Sequence, residues 1–256
     1  MDYIFDFAKE LIENASKIIL KNYNKVTKIK YKKGDSNLVT NVDHEVEALI
    51  LKEINHNFPK HSILAEESGT HKKNPIYKWF IDPIDGTTNF AHRYPCFCIS
   101  IAFAKNSELE FGLIKNPLTG ELYSARKNKG AKLNKEKITV SKIKHLKESL
   151  LVTGFPYDKR TSKMNNLNNF SKLTLITQGV RRDGSAALDL CYVASGKVDG
   201  FWELKLSPWD VAAGVLILKE AGGKITNFKG NSYDIYSNKI VATNGFIHKE
   251  LLKNLK

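Results

Sequence analysis

The sequence is poor in cysteine, in arginine and in long apolar runs, and each shortage removes a class of protein. Its three cysteines, Cys96, Cys98 and Cys191, are too few for a disulfide framework in 256 residues and lack zinc-type spacing. They are expected to be free, buried thiols in a reducing compartment, the cytoplasm. No stretch approaches the roughly 18 consecutive apolar residues of a membrane span. Asp2, Asp6 and Glu10 stand where a signal peptide carries positive charge, so neither membrane nor export is expected. Internal repeats and low-complexity linkers are missing too.

What remains is an ordinary globular composition, 42% hydrophobic and 26% charged, long enough for one large or two small domains. The net charge of +13 rests almost wholly on lysine, because only five of the 40 basic residues are arginine, at 93, 126, 160, 181 and 182. Proteins that read nucleic-acid sequence lean on arginine for bidentate contacts. Scattered lysine reads instead as a solvated exterior, with nucleic acid as a secondary partner at most. Such a field still helps phosphorylated substrates approach.

Apolar residues at helical spacing predict a helix over 3–23, and a second from a cap at Thr40 or Asn41 to Asn57, ended by Phe58-Pro59. Gly34-Asp35 between them is a turn signal. From there to about residue 137 the pattern is β-like, with strands at YKWFI, FCISIAFA, LEFGLI and ELYSAR. Beyond Leu146, strands at SLLVTG, GFWEL and KIVATN alternate with helices over 166–176, 185–195 and 208–221 and a terminal helix. The chain therefore reads as α+β, a single compact unit whose halves, 1–145 and 146–256, meet near 140–150.

The chemistry-bearing segment is WFIDPIDGTTNF. An apolar strand runs into Asp82, Pro83 denies the next backbone donor, and Asp85-Gly86 turns the chain toward Thr87-Thr88. Two carboxylates three residues apart can converge on one cation, while the N–H groups of Gly86, Thr87 and Thr88 face an anion. A cation beside a bound anion suits phosphate-ester chemistry. Glu66-Glu67 in ILAEESG and Asp210 in SPWDVAAG add acids. Each has a plainer alternative: side-chain turns for Asp82 and Asp85, solvated surface for the glutamates, and a capping box with Ser207 for Asp210. Spacing does not decide between them.

Taken in order, ILAEES, WFIDPIDGTTNF and PWDVAAGVLILKEAGG resemble the inositol monophosphatase family of magnesium-dependent, lithium-sensitive phosphatases. SNLVTNVD and RRDGSAALDLCYVASGKVDGFWE extend the resemblance over about residues 31–223. It implies the layered α-β-α-β-α sandwich shared with fructose-1,6-bisphosphatases. It also implies hydrolysis of phosphate monoesters, myo-inositol-1-phosphate foremost, by activated water without a phosphoenzyme; no Cys-x5-Arg loop suggests a protein nucleophile. Carried onto matching positions, Glu66, Asp82, Asp85, Asp210 and the Ile84 carbonyl would hold two to three Mg²⁺ ions. Thr87 and Asp43 would orient the water, and Glu67 would support them. Asp85, Gly86, Thr87, Thr88, Gly184, Ser185, Ala186 and Glu203 would contact substrate, a small phosphorylated polyol or sugar. Arg181 or Arg182 would bind phosphate or tie two subunits together.

Ser207-Pro208 replaces the His-Cys of animal members, and a proline there is usual in bacterial ones. The second threonine of DGTTNF favours the inositol branch over nucleotide 3′-phosphatases. The short GDSNL loop is shared with members that also hydrolyse fructose-1,6-bisphosphate, which makes dual activity an alternative. A transcription-associated, RNA-binding role layered on the phosphatase is another. Family membership further implies a homodimer.

Overall fold

The computed structural model describes residues 1–25, 29–31 and 38–256; the expected Gly34-Asp35 turn and most of the GDSNL loop lie outside them. Helix α1, Asp2–Asn22, buries Ala8, Leu11, Ile12, Ala15 and Ile19 on one face. Strands β1, Ile29–Tyr31, and β2, Leu38–Thr40, form a short antiparallel pair. Helix α2, Asn41–Asn57, starts where the Thr40 hydroxyl accepts the N–H groups of Val42 and Asp43, and stops at Phe58 ahead of Pro59.

The first half then lays down β3, His61–Ala65, β4, Gly69–His71, and β5, Asn74–Asp85, followed by the short helix α3, Thr87–Ala91. It continues with β6, Cys98–Lys105, β7, Glu108–Lys115, β8, Leu122–Arg126, β9, Ala131–Leu133, and β10, Glu136–Ile138. These strands make an eight-stranded sheet in the order β10-β9-β8-β7-β6-β5-β3-β4. Its one parallel pairing joins β3 to β5. The second half supplies β11, Leu150–Thr153, α4, Leu167–Ile176, β12, Gly179–Arg181, α5, Ala186–Ala194, and β13, Gly200–Leu204. After it come α6, Pro208–Glu220, β14, Lys224–Thr226, β15, Lys239–Thr243, and α7, His248–Asn254. Its five-stranded sheet runs β12-β11-β13-β15-β14.

Burial patterns assign the layers. Helices α1 and α2 cover one face of the large sheet, packing Ile12, Ile19, Val46 and Ile50 onto Trp79, Ile81, Phe103 and Phe111. Helices α5 and α6 are apolar on nearly every side, as a helix between two sheets must be. They join Phe80 and Ile114 of the large sheet to Phe201 and Ile240 of the small one. On the outer face of the small sheet, Leu173 of α4 and Leu251 of α7 pack with Trp202 and Val241. This is the expected α-β-α-β-α sandwich.

Two glycines let the middle layer close. A Cβ on Gly112 of β7 would stand 2.7 Å from the Ala213 carbonyl of α6, and one on Gly214 of α6 would stand 2.7 Å from the Leu190 Cβ of α5. One expectation needs refinement: pairing does not end at Pro83. Strand β5 continues to Asp85 through a bulge, in which the step from Asp82 to Asp85 faces the shorter step from Ser100 to Cys98 on β6. Pro83 falls inside it, where its missing N–H breaks no ladder bond. Strands β9, β10, β12 and β14, three residues each, are too short for periodicity to reveal.

Candidate active site

The site forms where the bulged end of β5 meets the first turns of α5 and α6. The bulge is held locally, because Asp82 Oδ1 accepts the Ile84 N–H at 3.0 Å. Gly86 follows at φ +96°, and a Cβ there would stand 2.9 Å from the Cys96 carbonyl, so both conformation and space require glycine. The turn delivers Thr87, whose hydroxyl lies 3.0 Å from Asp43 Oδ1 and 3.0 Å from the Ile84 carbonyl. A hydroxyl has one proton, so Thr87 serves these acceptors one at a time.

Each aspartate commits a carboxylate oxygen to a backbone N–H. Asp85 Oδ2 accepts the Ser185 hydroxyl at 2.6 Å and the Ala187 N–H at 2.7 Å, in the first turn of α5. Asp210 Oδ2 accepts the Ser207 N–H at 2.7 Å, so the capping role read from the sequence is real. It coexists with a place in the site. Burial and then Asp85 and Glu66 push the Asp210 carboxyl well above its usual range. Asp82 is raised in the same way by burial, then Glu66, Asp85 and Asp210. Asp85 is pushed up to about 6 by burial, with its bonds from Ser185 and Ala187 opposing. Four acids from three chain segments thus share one low-dielectric pocket.

Helix α2 closes the site from the other side. Asp43 Oδ2 accepts the Thr40 N–H at 3.0 Å and the Thr40 hydroxyl at 2.5 Å, leaving Oδ1 for Thr87. Burial raises Asp43 to about 7 against those bonds, with Glu66 and Glu67 adding to the rise. One turn further, buried Glu47 accepts the N–H groups of Glu67 and Ser68, both at 2.9 Å. It fixes the β3–β4 turn that carries Glu66 and Glu67.

The remaining expected residues lie toward the second half. Gly184 adopts φ +88°, and the Asn89 amide donates to the Asp183 carbonyl at 2.7 Å and the Cys96 carbonyl at 2.6 Å, pinning this loop to the β5–β6 connection. Ser185 turns its hydroxyl to Asp85, Ala186 is buried, and Thr88 is exposed. Glu203 on β13 is buried, and a Cβ on Gly154 would stand 2.0 Å from its Oε1, so glycine there makes room for the carboxylate. Burial pushes Glu203 up to about 8, Asp85 adds, and Arg182 counters.

Glu47, Asn89 and Tyr157 escaped the sequence reading, and Thr40 was read as a cap but not as the holder of Asp43. Glu47 carried a signal, since it sits four residues after Asp43 and so on the same helical face. Tyr157, from the loop after β11, carried none; burial and the charges of Glu66, Asp210, Asp85 and Asp82 raise its phenol.

The donor set is all oxygen. Among the described residues, no basic side chain bonds to Asp82, Asp85 or Asp210. Buried carboxylates that raise one another are what a hard divalent cation would neutralise, and Mg²⁺ takes such ligands. Among the described residues no three His, Cys, Asp or Glu side chains already close on one coordination point; the acids are gathered within Coulomb reach instead.

The sequence pattern of the inositol monophosphatase family matches residues 1–256. An inositol-1-monophosphatase of Synechocystis is 45% identical over 252 residues, covering 98% of this chain and 88% of the relative. The Nus factor SuhB of Salmonella typhimurium is 39% identical over 258 residues, covering 100% and 97%. The solved inositol monophosphatase of Anabaena (Nostoc) superposes with a TM-score of 0.89 at 44% identity, over 99% of this chain and 95% of its own.

Proposed function

The chain belongs to the inositol monophosphatase family, which makes it a phosphoric monoester hydrolase, and we propose that it releases phosphate from myo-inositol-1-phosphate. The observation that carries this reading is the gathering of Glu66, Asp82, Asp85 and Asp210, from three distant segments, beside the Thr87–Asp43 hydrogen bond.

Glu66, Asp82, Asp85, Asp210 and the Ile84 carbonyl, which keeps a second lone pair beyond the one facing Thr87, would hold two to three Mg²⁺ ions. When bound, the metal supplies Lewis-acid charge neutralisation and lowers the pKa of water. Thr87 and Asp43 orient the attacking water: Thr40 locks Asp43, and Asp43 in turn sets the direction of the Thr87 hydroxyl. Glu67 supports this group through its charge on Asp43. The N–H groups of Gly86, Thr87 and Thr88 meet the phosphate at the turn. Glu203, with Gly184, Ser185 and Ala186, orients the polyol, and Asp85 meets the hydroxyl beside the scissile oxygen. Water rather than a side chain is the nucleophile, so no phosphoenzyme forms.

Site residues come from both halves, which supports reading 1–256 as a single catalytic unit divided near 145. Exposed Leu167, Leu175 and Ile176 on α4 suit a homodimer interface. Three free, buried cysteines suit the cytoplasm, and among the described residues no helix is long and apolar enough to cross a membrane.

The test is phosphate release with Mg²⁺ from inositol-1-phosphate, fructose-1,6-bisphosphate, glycerol-2-phosphate and adenosine 3′,5′-bisphosphate. Inositol-1-phosphate should turn over fastest; comparable turnover of fructose-1,6-bisphosphate would establish dual activity, and release from none of them would overturn the reading. The SuhB relatives and the net charge of +13 favour a second reading, RNA binding layered on the enzyme. Salt-sensitive RNA binding that survives Asp85→Asn is its signature.

A further inference from the structure

A cavity of about 680 Å³ opens away from the acidic cluster, at the other end of α6. Asp210 sits in the first turn of that helix, whereas Val215, Leu216, Lys219 and Glu220 line the cavity. At 1.5 Å per residue, Lys219 is roughly 13 Å along the axis from Asp210. The volume falls in the range of small-molecule sites, roughly 300–1,000 Å³.

Its construction is amphipathic. The floor is apolar and buried: Phe80 of β5 together with Val215 and Leu216 of α6. Two tyrosines, Tyr233 and Tyr236, form part of the wall, and Tyr236 is 58% exposed. Its ring is held in place, because its backbone N–H donates to Asp234 Oδ1 at 3.0 Å and its hydroxyl accepts the Lys78 ammonium at 3.3 Å.

The wall carries three lysines and three acids, of which only Lys127 and Glu108 pair directly. Lys127 is paired with Glu108. Glu220 accepts the N–H groups of Asn128 at 2.7 Å and Gly130 at 2.8 Å, so its carboxylate is occupied by backbone. Asp234 caps its own turn. Lys78 has a phenol rather than an acid for a partner, lying 5.9 Å from the Tyr236 ring centroid, and Lys219 makes no ion pair or hydrogen bond among the described residues. Two lysines without an ion-pair partner thus border an apolar floor and an aromatic wall, alongside the backbone-bonded carboxylates of Glu220 and Asp234.

We propose that this cavity is a second ligand site, built for a flat aromatic molecule that carries an anionic group. The rings and the apolar floor take the flat body through stacking and burial. Lys78 and Lys219 take the anion through charge-assisted hydrogen bonds. The site is separate from the carboxylate cluster, at the other end of α6.

The probe is 8-anilino-1-naphthalenesulfonate, a flat aromatic anion that a phosphatase does not cleave, titrated by fluorescence against the full chain with Mg²⁺. Its uncharged counterpart, N-phenyl-1-naphthylamine, isolates the contribution of the anion. The sulfonate should bind about tenfold more tightly than the amine, equivalent to ~1.4 kcal/mol. Lys78→Gln with Lys219→Gln should erase that preference while leaving amine affinity and phosphate release unchanged. Tyr236→Ala should weaken both probes, and saturating inorganic phosphate should displace neither. Equal binding of the two probes, indifference to the lysine pair, or displacement by phosphate would each overturn the proposal.

Discussion

Asp85 joins the two halves of the molecule through one carboxylate, because the oxygen that receives Ser185 and Ala187 belongs to a group that also repels Glu66, Asp82 and Asp210. Asp85→Asn keeps an oxygen for the first turn of α5 but removes the charge. It is expected to lower kcat at least ~100-fold, a barrier change of about 2.7 kcal/mol, with the melting temperature nearly unchanged. Steady-state phosphate release and a thermal melt on the same preparation check both halves of the statement. Thr87 tests water orientation separately. Thr87→Ala should slow turnover ~10- to 100-fold without loosening metal binding, whereas Thr87→Ser, which keeps the hydroxyl, should recover most of it. Mg²⁺ titration of each variant by calorimetry separates the two effects.

At the scale of elements, caps and short turns set the site. Thr40 is both the N-cap of α2 and the holder of Asp43. Thr40→Ala should therefore cost about 1 kcal/mol of stability and also lower kcat, while Thr40→Ser preserves both. Denaturant midpoints and turnover of the two variants decide it. The start of α7 makes a different prediction. His248 is buried between the hydroxyls of Thr226 and Thr243, each 2.9 Å away, and burial lowers its pKa to about 4. An unfolded histidine titrates near 6.5, so between pH 6.5 and 4 the unfolded chain holds more protons. Stability from this group is intact above pH 6.5 and falls through that window by about 2–3 kcal/mol. His248→Gln should flatten that part of the pH–stability curve relative to the unaltered chain, as read from urea midpoints at pH 7 and 4.5.

Over the whole molecule, the middle helices decide whether the halves can meet. Gly112→Ala would drive a methyl into the α6 backbone, and Gly214→Ala would drive one into Leu190 of α5. Each is expected to destabilise by ~1–3 kcal/mol, the usual range for overpacking, and to blur the cooperativity of unfolding, which denaturant titration reads directly. Metal should act at the same scale. The acids are raised by burial and mutual repulsion, and must lose their protons to bind a cation. Added Mg²⁺ should raise the melting temperature, more so at pH 8 than at pH 5, and a chelator should reverse it. A shift of equal size at both pH values would contradict the ligand assignment.

Much of this was legible along the chain because it depends on neighbours in sequence. The helical spacing of Leu11, Ile12, Ala15 and Ile19 determined α1, the all-round apolarity of VAAGVLIL determined that α6 is buried, and Ser207-Pro208 determined where α6 starts. The DPIDGTTNF string likewise specified a glycine turn and a short helix, both local consequences of glycine geometry, whereas the bulge that carries β5 past Pro83 appeared only in its pairing with β6. Strands of three residues escaped, since a period cannot be read from so few positions. Asp210 was ambiguous for a different reason. Capping is decided by residues three apart, whereas its proximity to Asp82 and Glu66 depends on two sheets closing over α5 and α6. Tertiary structure alone brought Ser185 to Asp85, Glu47 to the turn after Glu66, and Gly154 to Glu203, because contacts between segments scores of residues apart are set by packing, which local pattern does not encode.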